Sequence, residues 1–414
     1  MRLRDWRIPT LAVAALAFAL PTGGQLPYYC FYALAAATAF AWLWVRITAR
    51  NVSCAYRAER RALAVGEAVS VRLRLYNEGL LPVSWLECND ASPLRPPAEA
   101  SWRAALPGLG SAVRVETVRV RRRGVYPLGP LKLRVSDPFG IFEGRRTIAG
   151  SQPLIVYPRV HPLDYLPLPL NLPLGSVRTR RSSPEDFSSL AGVRPWRAGD
   201  NPRRVHWKTS ARRGRLHVRE FELAATADVH IFLDLAAGVY GPDEDERAVE
   251  IAASVARYAL DRYLNVGFLA HGGQRYFLPP GKGRRAFREL LELLALAVPE
   301  GKLPASRALL FEAAGFSPRA AVVVITPQLT PDLAGALLRL RQAGLGVLLI
   351  HPLPSTTAAS PPGGYAAPEA YTAPEAADLL QGLRRHGVTA LAVRSVDELA
   401  RLGGDPRWRP SPSG

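Results

Sequence analysis

The pattern of hydrophobic and polar residues changes its period along the chain, and each change marks a different kind of structure. Two apolar runs, residues 8–20 and 26–45, open the chain and are separated by a turn containing Pro21, Gly23 and Gly24. At about 1.5 Å per residue the second run is long enough to cross a bilayer, whereas the first is shorter. We therefore predict a two-helix transmembrane hairpin over residues 1–50. A signal peptide is the alternative for the first run, and a soluble protein that buries its apolar N-terminus is the alternative for both.

The charges that flank the two apolar runs predict an orientation in the membrane. The flanking cations are Arg2, Arg4 and Arg7 before the first run, and Arg46, Arg50 and Arg57 after the second. The connecting turn carries no charge, so the positive-inside rule leaves everything after Arg46 in the cytoplasm. We expect a protein of the inner or plasma membrane with cytoplasmic soluble domains.

Short segments of alternating apolar and polar residues, separated by turns, fill residues 51–160 and predict an antiparallel β domain. The predicted strands are residues 54–59, 69–76, 83–88, 113–122, 131–136 and 154–157. The alternation in the fourth of these is less regular, which favours a β-bulge there. Their number fits a β-sandwich of two sheets, of the immunoglobulin type.

Strands alternate with helices in residues 223–403, which predicts a doubly wound, mostly parallel α/β sheet. The predicted strands are 229–233, 266–269, 274–278 (a short edge strand), 320–325, 346–350 and 388–393. The predicted helices are 244–264, 284–296, 332–343, 374–385 and 396–402. A loop rich in Pro and Ala, residues 352–368, interrupts this pattern, and residues 404–414 are expected to form a flexible tail.

Residues 161–222 lie between these two domains. The first part, 161–174, is rich in Pro and Leu without periodicity and is expected to be an extended linker that packs on another element. Residues 178–219 contain twelve Lys or Arg against Glu185, Asp186 and Asp200, so this segment carries +9 of the formal net charge of +18. Such a charge favours anionic partners, which include phospholipid, nucleic acid and acidic protein surfaces.

Local turn chemistry accounts for much of the basic segment. Gly199 and Asp200 form a predicted turn, Asp200 or Asn201 caps a short helix that Pro202 opens, and Gly214 ends that helix. Within this helix, spacings of three and four residues predict that Trp207 packs inward. A strand is expected to follow, beginning near Leu216.

The chemistry-bearing residues of the segment have structural explanations. Trp196 and Trp207 are expected to anchor the segment to a core. His206 and His217 lack an acid or thiol at the spacing of a metal site or a catalytic triad, so we assign them no catalytic role. Outside this segment, the chain has three cysteines that include no CxxC pair, which favours reduced thiols that pack in the interior.

The first strand of the α/β region ends at Asp234, where ligands bind in open α/β sheets. This part resembles a von Willebrand factor A domain, whose first strand ends in an Asp-x-Ser-x-Ser metal site. Ala236 and Gly238 replace the two serines, and Thr326 to Gln328 offer no carboxylate after a later strand. Magnesium requires several hard oxygen ligands, so we predict a degenerate site without metal or cofactor, in which Asp234 binds local backbone.

With both halves considered, the chain resembles the bacterial family called domain of unknown function fifty-eight (DUF58). The segments that carry the resemblance are residues 123–142, 154–158 and 194–222. The predicted signature and docking residues are Arg194, Trp196, Gly199, Asp200, Arg204, His206, Trp207, Lys208, Ala211 and Arg212. Trp196 stands where the family usually has tyrosine. The resemblance implies a membrane hairpin, a β domain, a von Willebrand A-like domain and a MoxR-type AAA+ ATPase as partner.

No complete catalytic motif appears, because the chain has no GxSxG, HExxH or full phosphate-binding loop. We therefore predict a non-enzymatic, membrane-anchored adaptor that docks an AAA+ ATPase or its client during the assembly or maturation of a complex. Nucleic-acid or anionic-lipid binding through residues 178–219 is the alternative. Metal-dependent ligand binding at the degenerate site is a third hypothesis.

Overall fold

A computed structural model describes residues 2–94, 100–170, 190–197, 205–221, 227–241, 243–353 and 373–401. The chain divides into two compact units, Met1–Pro158 and Arg159–Gly414, each of which has its own sheets. The predicted tail and most of the predicted Pro/Ala loop lie outside the described residues.

The first unit contains two apolar helices near its start, α1 (Arg7–Thr22) and α2 (Gln25–Thr48), which contact one another. Gly23 ends α1 in the left-handed region at a φ of 61°, which suits a residue without Cβ. In the part of the chain that the structure describes, α2 is long and apolar enough to span a membrane, whereas α1 is shorter. Both predicted apolar runs are therefore helical.

The described part of the first unit also contains eleven strands, one before the two helices and ten after them. They are β1 (Arg2–Leu3), β2 (Val52–Ala58), β3 (Ala62–Ala64), β4 (Ala68–Asn77), β5 (Val83–Asp90), β6 (Ser101–Leu106), β7 (Ser111–Arg119), β8 (Gly124–Leu128), β9 (Leu131–Ser136), β10 (Phe142–Ile148) and β11 (Ser151–Tyr157). They form sheets of order β1-β10-β9-β5-β6, β2-β4-β7 and β3-β11-β8. Residues such as Leu73 and Leu75 of β4 share a buried core with Leu86 of β5 and Leu133 of β9, which joins the first two sheets.

All six strands predicted in this unit are present, and five others were missed because they are short, polar or interrupted by Pro. The bulge predicted in β7 is wrong. β4 and β7 pair in continuous register from Ala68 opposite Arg119 to Tyr76 opposite Ser111. Val113 and Val115 are simply exposed, so the irregular apolar pattern reflects their hydrophobic side chains on the outer face. The immunoglobulin-type topology stays a prediction.

The second unit contains the α/β region. Its elements are β12 (Leu190–Pro195), α3 (Trp207–Arg213), β13 (His217–Phe221), β14 (Asp228–Leu233), α4 (Glu244–Asp261), β15 (Asn265–His271), β16 (Arg275–Gly281), α5 (Gly283–Leu296), α6 (Ala305–Glu312), β17 (Ala321–Ile325), α7 (Pro331–Gln342), β18 (Gly346–Pro352), α8 (Ala373–Arg385), β19 (Thr389–Val393) and α9 (Val396–Arg401). The sequence predicted every strand and helix from β14 onward except α6, with ends that differ by a few residues.

The main sheet has the order β16-β15-β14-β17-β18-β19. All neighbours are parallel except β16, which pairs antiparallel to β15 at the edge, as expected. β17 and β18 are buried at every position, which accounts for their uninterrupted apolar sequences. The chain moves from β14 to one side through β15 and to the other through β17. This reversal opens a crevice at the carboxyl ends of β14 and β17.

The described part of the predicted linker packs on α4, as expected. The backbone N–H of His161 donates to Ser254 Oγ at 3.0 Å, and Tyr258 Oη donates to the carbonyl oxygen of Leu166 at 3.2 Å. Leu166 is buried. Residues 171–174 of the predicted linker lie outside the described residues.

Candidate functional site

The crevice between β14 and β17 contains Asp234, which directly follows β14 and is only 3% exposed. Its backbone N–H donates to the carbonyl oxygen of Ile325 at 3.0 Å, so the turn after β14 continues the pairing with β17. Oδ1 accepts from the N–H of Ala236 at 3.0 Å, and Tyr240 Oη donates to the Asp234 carbonyl oxygen at 2.6 Å. The predicted role of Asp234, binding local backbone, matches these contacts.

The second carboxylate oxygen of Asp234 faces Thr326, which directly follows β17 and is fully buried. Thr326 Oγ1 lies 2.8 Å from Asp234 Oδ2 and 3.1 Å from the carbonyl oxygen of Gln328, and it accepts the N–H of Gln328 at 3.1 Å. One hydroxyl proton therefore faces two acceptors. A protonated Asp234 satisfies both, because its O–H donates to Thr326 and frees the hydroxyl to donate to Gln328. Burial raises the pKa of Asp234, in agreement with this arrangement.

His351 extends this network to a third strand, β18. Its Nδ1 lies 3.1 Å from the carbonyl oxygen of Thr326, so Nδ1 carries the proton and donates it. The ring is 5% exposed, and burial lowers the pKa of His351, which keeps it neutral. Asp234 thus binds the side chain of Thr326, and His351 binds its backbone. None of the three residues is an exposed nucleophile or base.

The crevice opens to the surface beside this network as a pocket of about 210 Å³. Its walls combine the turn after β14, the residues before α6 and the start of α7. The lining residues that reach the surface include Ala237 and Lys302, and Gln328 is half-buried. Gly301 holds two walls together: its N–H donates to the Leu235 carbonyl oxygen, and its own carbonyl oxygen accepts from Ala237, each at 2.8 Å.

The contacts at Asp234 do not resemble a metal site. Both of its carboxylate oxygens bind groups of the protein, and Ala236 supplies a backbone N–H in place of a serine hydroxyl. Gly238 adopts a φ of 77° and supplies no side chain. Within the described ranges, no group of three or more His, Cys, Asp or Glu side chains is placed to bind a metal ion.

The basic segment forms a small two-stranded sheet of its own, in which β12 and β13 pair antiparallel, with α3 between them. Arg194 lies opposite Val218, and the backbone N–H of Trp196 donates to the carbonyl oxygen of Leu216 at 2.8 Å. The predicted strand and the αL glycine at Gly214 are both present. Gly199, Asp200 and Arg204, together with the turn and cap predicted at 199–202, lie outside the described residues.

The start of the predicted helix and the position of Trp207 are wrong. Val205 forms a bridge with Val218, and His206 is the N-cap, with Nδ1 accepting the N–H of Thr209 at 3.1 Å. The helix therefore begins at Trp207, and its inward residue is Ser210, which is buried. Trp207 is 70% exposed instead of packing inward.

Two histidines and Ser210 fasten α3 to the hairpin. Ser210 Oγ donates to the His206 carbonyl oxygen at 3.0 Å and accepts the N–H of His217 at 2.9 Å. His217 is 4% exposed, and its Nδ1 donates to the Arg215 carbonyl oxygen at 2.7 Å. The opposite face presents Trp207, Lys208, Ala211 and Arg212 to solvent, while Trp196 is half-buried.

A charged cluster between β15, β16 and α6 was not predicted. Arg275 binds the buried Glu312 through two hydrogen bonds, Nε to Oε1 at 2.6 Å and Nη2 to Oε2 at 2.8 Å. His271 Nε2 lies 3.0 Å from Glu312 Oε1. The hydrogen bonds from Arg275 lower the pKa of Glu312 more than burial raises it. The only sequence signal was a lone glutamate in an apolar stretch that was not assigned to a helix.

Part of this chain is similar in sequence to a family without an assigned function. Residues 192–357 match the family model described as "Protein of unknown function DUF58", which confirms the predicted resemblance over this part of the chain. The chain is 26% identical over 331 residues to the "Uncharacterized protein YeaD" of Bacillus subtilis (strain 168). That match covers 78% of this chain and 82% of the relative.

Solved structures resemble this chain only distantly. The CARDB domain of the PF1109 protein from Pyrococcus furiosus is 12% identical, covers 25% of this chain and 86% of its own, and has a TM-score of 0.19. The cupredoxin domain of amoB from Nitrosocaldus yellowstonii is also 12% identical, covers 27% of this chain and 89% of its own, and has a TM-score of 0.18. Such low TM-scores carry no argument about fold or function.

Proposed function

We propose that this chain is a membrane-anchored, non-enzymatic adaptor whose α/β unit docks another protein at the crevice between β14 and β17. The observation that carries this proposal is the state of Asp234, whose two carboxylate oxygens are both engaged by Ala236 and Thr326 beside an open pocket. A crevice whose one acid is buried and hydrogen-bonded has a shape for binding but offers no free carboxylate for acid–base or metal chemistry.

The sheet order supports a von Willebrand factor A-like arrangement for this unit. Asp234 follows a strand flanked by parallel neighbours on both sides, which is where such domains bind their ligands. The serine hydroxyls of that metal site are replaced here, so a docked partner would be held by the crevice walls and by Lys302 instead of through a shared metal ion.

Anchoring is supported by the surfaces of α1 and α2. Large apolar side chains stay exposed along both helices, including Phe18, Leu20, Tyr32 and Leu43. In water such a surface would be unfavourable by about 25 cal/mol per Å², and a lipid bilayer removes this cost. We therefore propose that the two helices form a membrane hairpin, with the soluble parts on the cytoplasmic side of the inner or plasma membrane.

The proposed partner is a MoxR-type AAA+ ATPase or its client, on the basis of the resemblance to DUF58. The test is affinity purification of the full chain from detergent-solubilised membranes, with the ATPase of the same organism quantified by mass spectrometry. Ala237→Arg fills the mouth of the crevice from an exposed position, and we expect at least a tenfold loss of recovered ATPase. Ala377→Arg makes the same change at an exposed position on α8 and should retain it.

The outcomes separate the parts of the proposal. If both variants recover as much ATPase as the original protein, the docking surface lies outside the crevice. No recovery with the intact chain, from membranes that contain the ATPase, would overturn the partner. Calorimetry with magnesium or manganese tests the hypothesis of metal-dependent binding, and heat that saturates with one ion per chain would overturn the metal-free crevice.

A further inference from the structure

The exposed face of α3 combines an unburied tryptophan with a group of cations. Trp207 is 70% exposed and Leu216 is 47% exposed. The exposed cations around them are Lys208, Arg212, Arg213 and Arg215. No acidic residue occurs between Val205 and Arg219, and the described part of the chain offers no ion pair to these four cations. We call this surface, residues 207–216, the basic face.

A polar network beneath the basic face fixes the orientation of α3 on the hairpin. Ser210 lies on the inward side, where its hydroxyl bonds the backbone of both His206 and His217. Rotating the helix to bury Trp207 would break the bond between Ser210 and His217 and expose both residues. The outward position of Trp207 therefore follows from how α3 is bonded to the hairpin.

We propose that the basic face binds the surface of an anionic phospholipid bilayer. Tryptophan has an apolar ring with one polar N–H and partitions to the interface between headgroups and acyl chains. Leu216 adds aliphatic surface beside it, and the four cations complement lipid phosphates. Charge complementarity and amphipathic side chains thus fit the same surface.

Nucleic acid is the other polyanion that this charge would suit, and two observations favour lipid. Single-stranded nucleic acid is bound by aromatic rings on which successive bases stack, whereas the basic face has one aromatic ring and an aliphatic neighbour. The chain also contains α2, a helix long and apolar enough to span a membrane. If α2 anchors the chain, the effective concentration of lipid near the basic face is high. The inference extends the proposed anchoring and is independent of the ATPase.

The test uses the full chain in lipid nanodiscs, one set made of phosphatidylcholine and the other containing about 30% phosphatidylglycerol, a fraction chosen to resemble an anionic leaflet. Hydrogen exchange of the amides in residues 207–216 is followed by mass spectrometry. We expect slower exchange in the anionic discs and a return toward the neutral-disc rate at high salt, because screening weakens the attraction. A chain that does not enter discs is mixed with vesicles of the same compositions, and the same amides are followed.

Two variants assign the effect to the basic face. The triple change Lys208→Gln, Arg212→Gln and Arg213→Gln should abolish the lipid-dependent protection, and Trp207→Ala should reduce it. The matched control removes the same charge from α5 and the residue before it through Lys282→Gln, Arg284→Gln and Arg288→Gln, at exposed positions without an exposed tryptophan nearby. This control should keep the protection.

Three results would overturn the inference. Equal exchange in both lipids would show that the face is not bound. Equal loss in the control variant would show a general effect of net charge. Protection by duplex or single-stranded DNA that exceeds protection by anionic lipid would assign the face to nucleic acid. Exchange of the variants in neutral discs that matches the original protein confirms that the hairpin is still folded.

Discussion

Thr326 Oγ1 lies 2.8 Å from Asp234 Oδ2, and this one contact ties the end of β17 to the turn after β14. The same hydroxyl lies 3.1 Å from the carbonyl oxygen of Gln328. With Asp234 ionised, the hydroxyl serves only one of the two acceptors, whereas a protonated Asp234 serves both. A carboxyl group in such surroundings serves as a structural hydrogen-bonding group.

Asp234→Asn should therefore stabilise the protein near neutral pH. The amide N–H₂ donates to Thr326 Oγ1, as the protonated acid does, and the amide oxygen still accepts from Ala236. The pKa of Asp234 is raised in the folded protein, so ionising this carboxyl group lowers the free energy of unfolding. This loss is absent below the ordinary pKa of 3.8 and grows as pH rises through the folded pKa. We expect a gain of about 1–2 kcal/mol in the free energy of unfolding at pH 7, the size of one hydrogen bond regained by a buried group, and a smaller gain toward pH 4.

Urea unfolding at several pH values checks this, with Asp378→Asn as the control. Asp378 is exposed on α8, so its substitution should leave stability nearly unchanged at every pH. A loss of stability in Asp234→Asn at pH 7 would contradict the protonated arrangement and would favour an ionised Asp234.

Thr326→Val removes the hydroxyl while keeping the shape of the side chain. It leaves the buried Asp234 Oδ2 and the partly buried N–H of Gln328 without that partner, so we expect the free energy of unfolding to fall by about 2–4 kcal/mol. Thr326→Ser keeps the hydroxyl and should lose less. A double-mutant cycle with Asp234→Asn should show a coupling of about 0.5–3 kcal/mol, and additive effects would contradict the contact.

Much of the fold follows from the sequence because burial imposes a period on it. β17 is AVVVI, and only a strand covered on both faces accounts for five consecutive buried residues of this kind. The strands that were missed lack such a pattern: β8 contains Pro127 between the half-buried Tyr126 and the buried Leu128, and β10 carries Arg145 and Arg146. Helix α6 is only eight residues long, and about two turns are too few to establish a clear helical periodicity.

The site was less predictable, because it depends on contacts between segments far apart in sequence. Asp234 could be identified from its position after a buried strand, but its partner Thr326 is 92 residues away. Trp207 was placed inward from spacing alone. The Val205 to Val218 bridge and the His206 cap fix where α3 begins, and that one boundary turns Ser210 to the inside and Trp207 to the outside.

Glu312→Gln should destabilise the second unit at neutral pH. Arg275 donates two hydrogen bonds to Glu312, which is buried, although Arg275 itself is half-exposed and solvent weakens the pair. We expect a loss of about 1–2 kcal/mol. Since the pKa of Glu312 is lowered, its contribution is present above the ordinary value of 4.5 and disappears as pH falls through the folded pKa.

The exposed pair Arg285 and Glu289 on α5 provides the matched control for this prediction. The two side chains are joined at 2.8 Å, but the arginine is almost fully exposed. Glu289→Gln should cause no measurable change in chemical denaturation. Equal effects of the two substitutions would show that the Glu312 cluster contributes no more than a surface ion pair.

The two buried histidines of the main sheet should make the protein less stable in mild acid. Burial lowers the pKa of His230 more than Asp228 raises it, and burial likewise lowers the pKa of His351. The unfolded chain then binds protons more readily than the folded one, so stability is full above about 6.5 and falls as pH drops below it. His230→Phe keeps the ring contact with Phe316 and should make the loss between pH 6.5 and 5 smaller. A melting temperature that depends on pH identically in both proteins would contradict this.

Gly301→Ala should disrupt the crevice more than its size suggests. A Cβ at this position would lie 2.2 Å from the His271 carbonyl oxygen and 2.8 Å from that of Leu235, so both backbone walls must move. Because Gly301 also hydrogen-bonds Leu235 and Ala237, we expect the free energy of unfolding to fall by about 1–3 kcal/mol and partner binding to weaken. Gly335→Ala is the control, since its Cβ would meet nothing within 4 Å on α7 and should stabilise the helix by about 0.5–1 kcal/mol. Thermal unfolding measures both changes, and a neutral Gly301→Ala would show that the turn after β14 and the segment before α6 move independently.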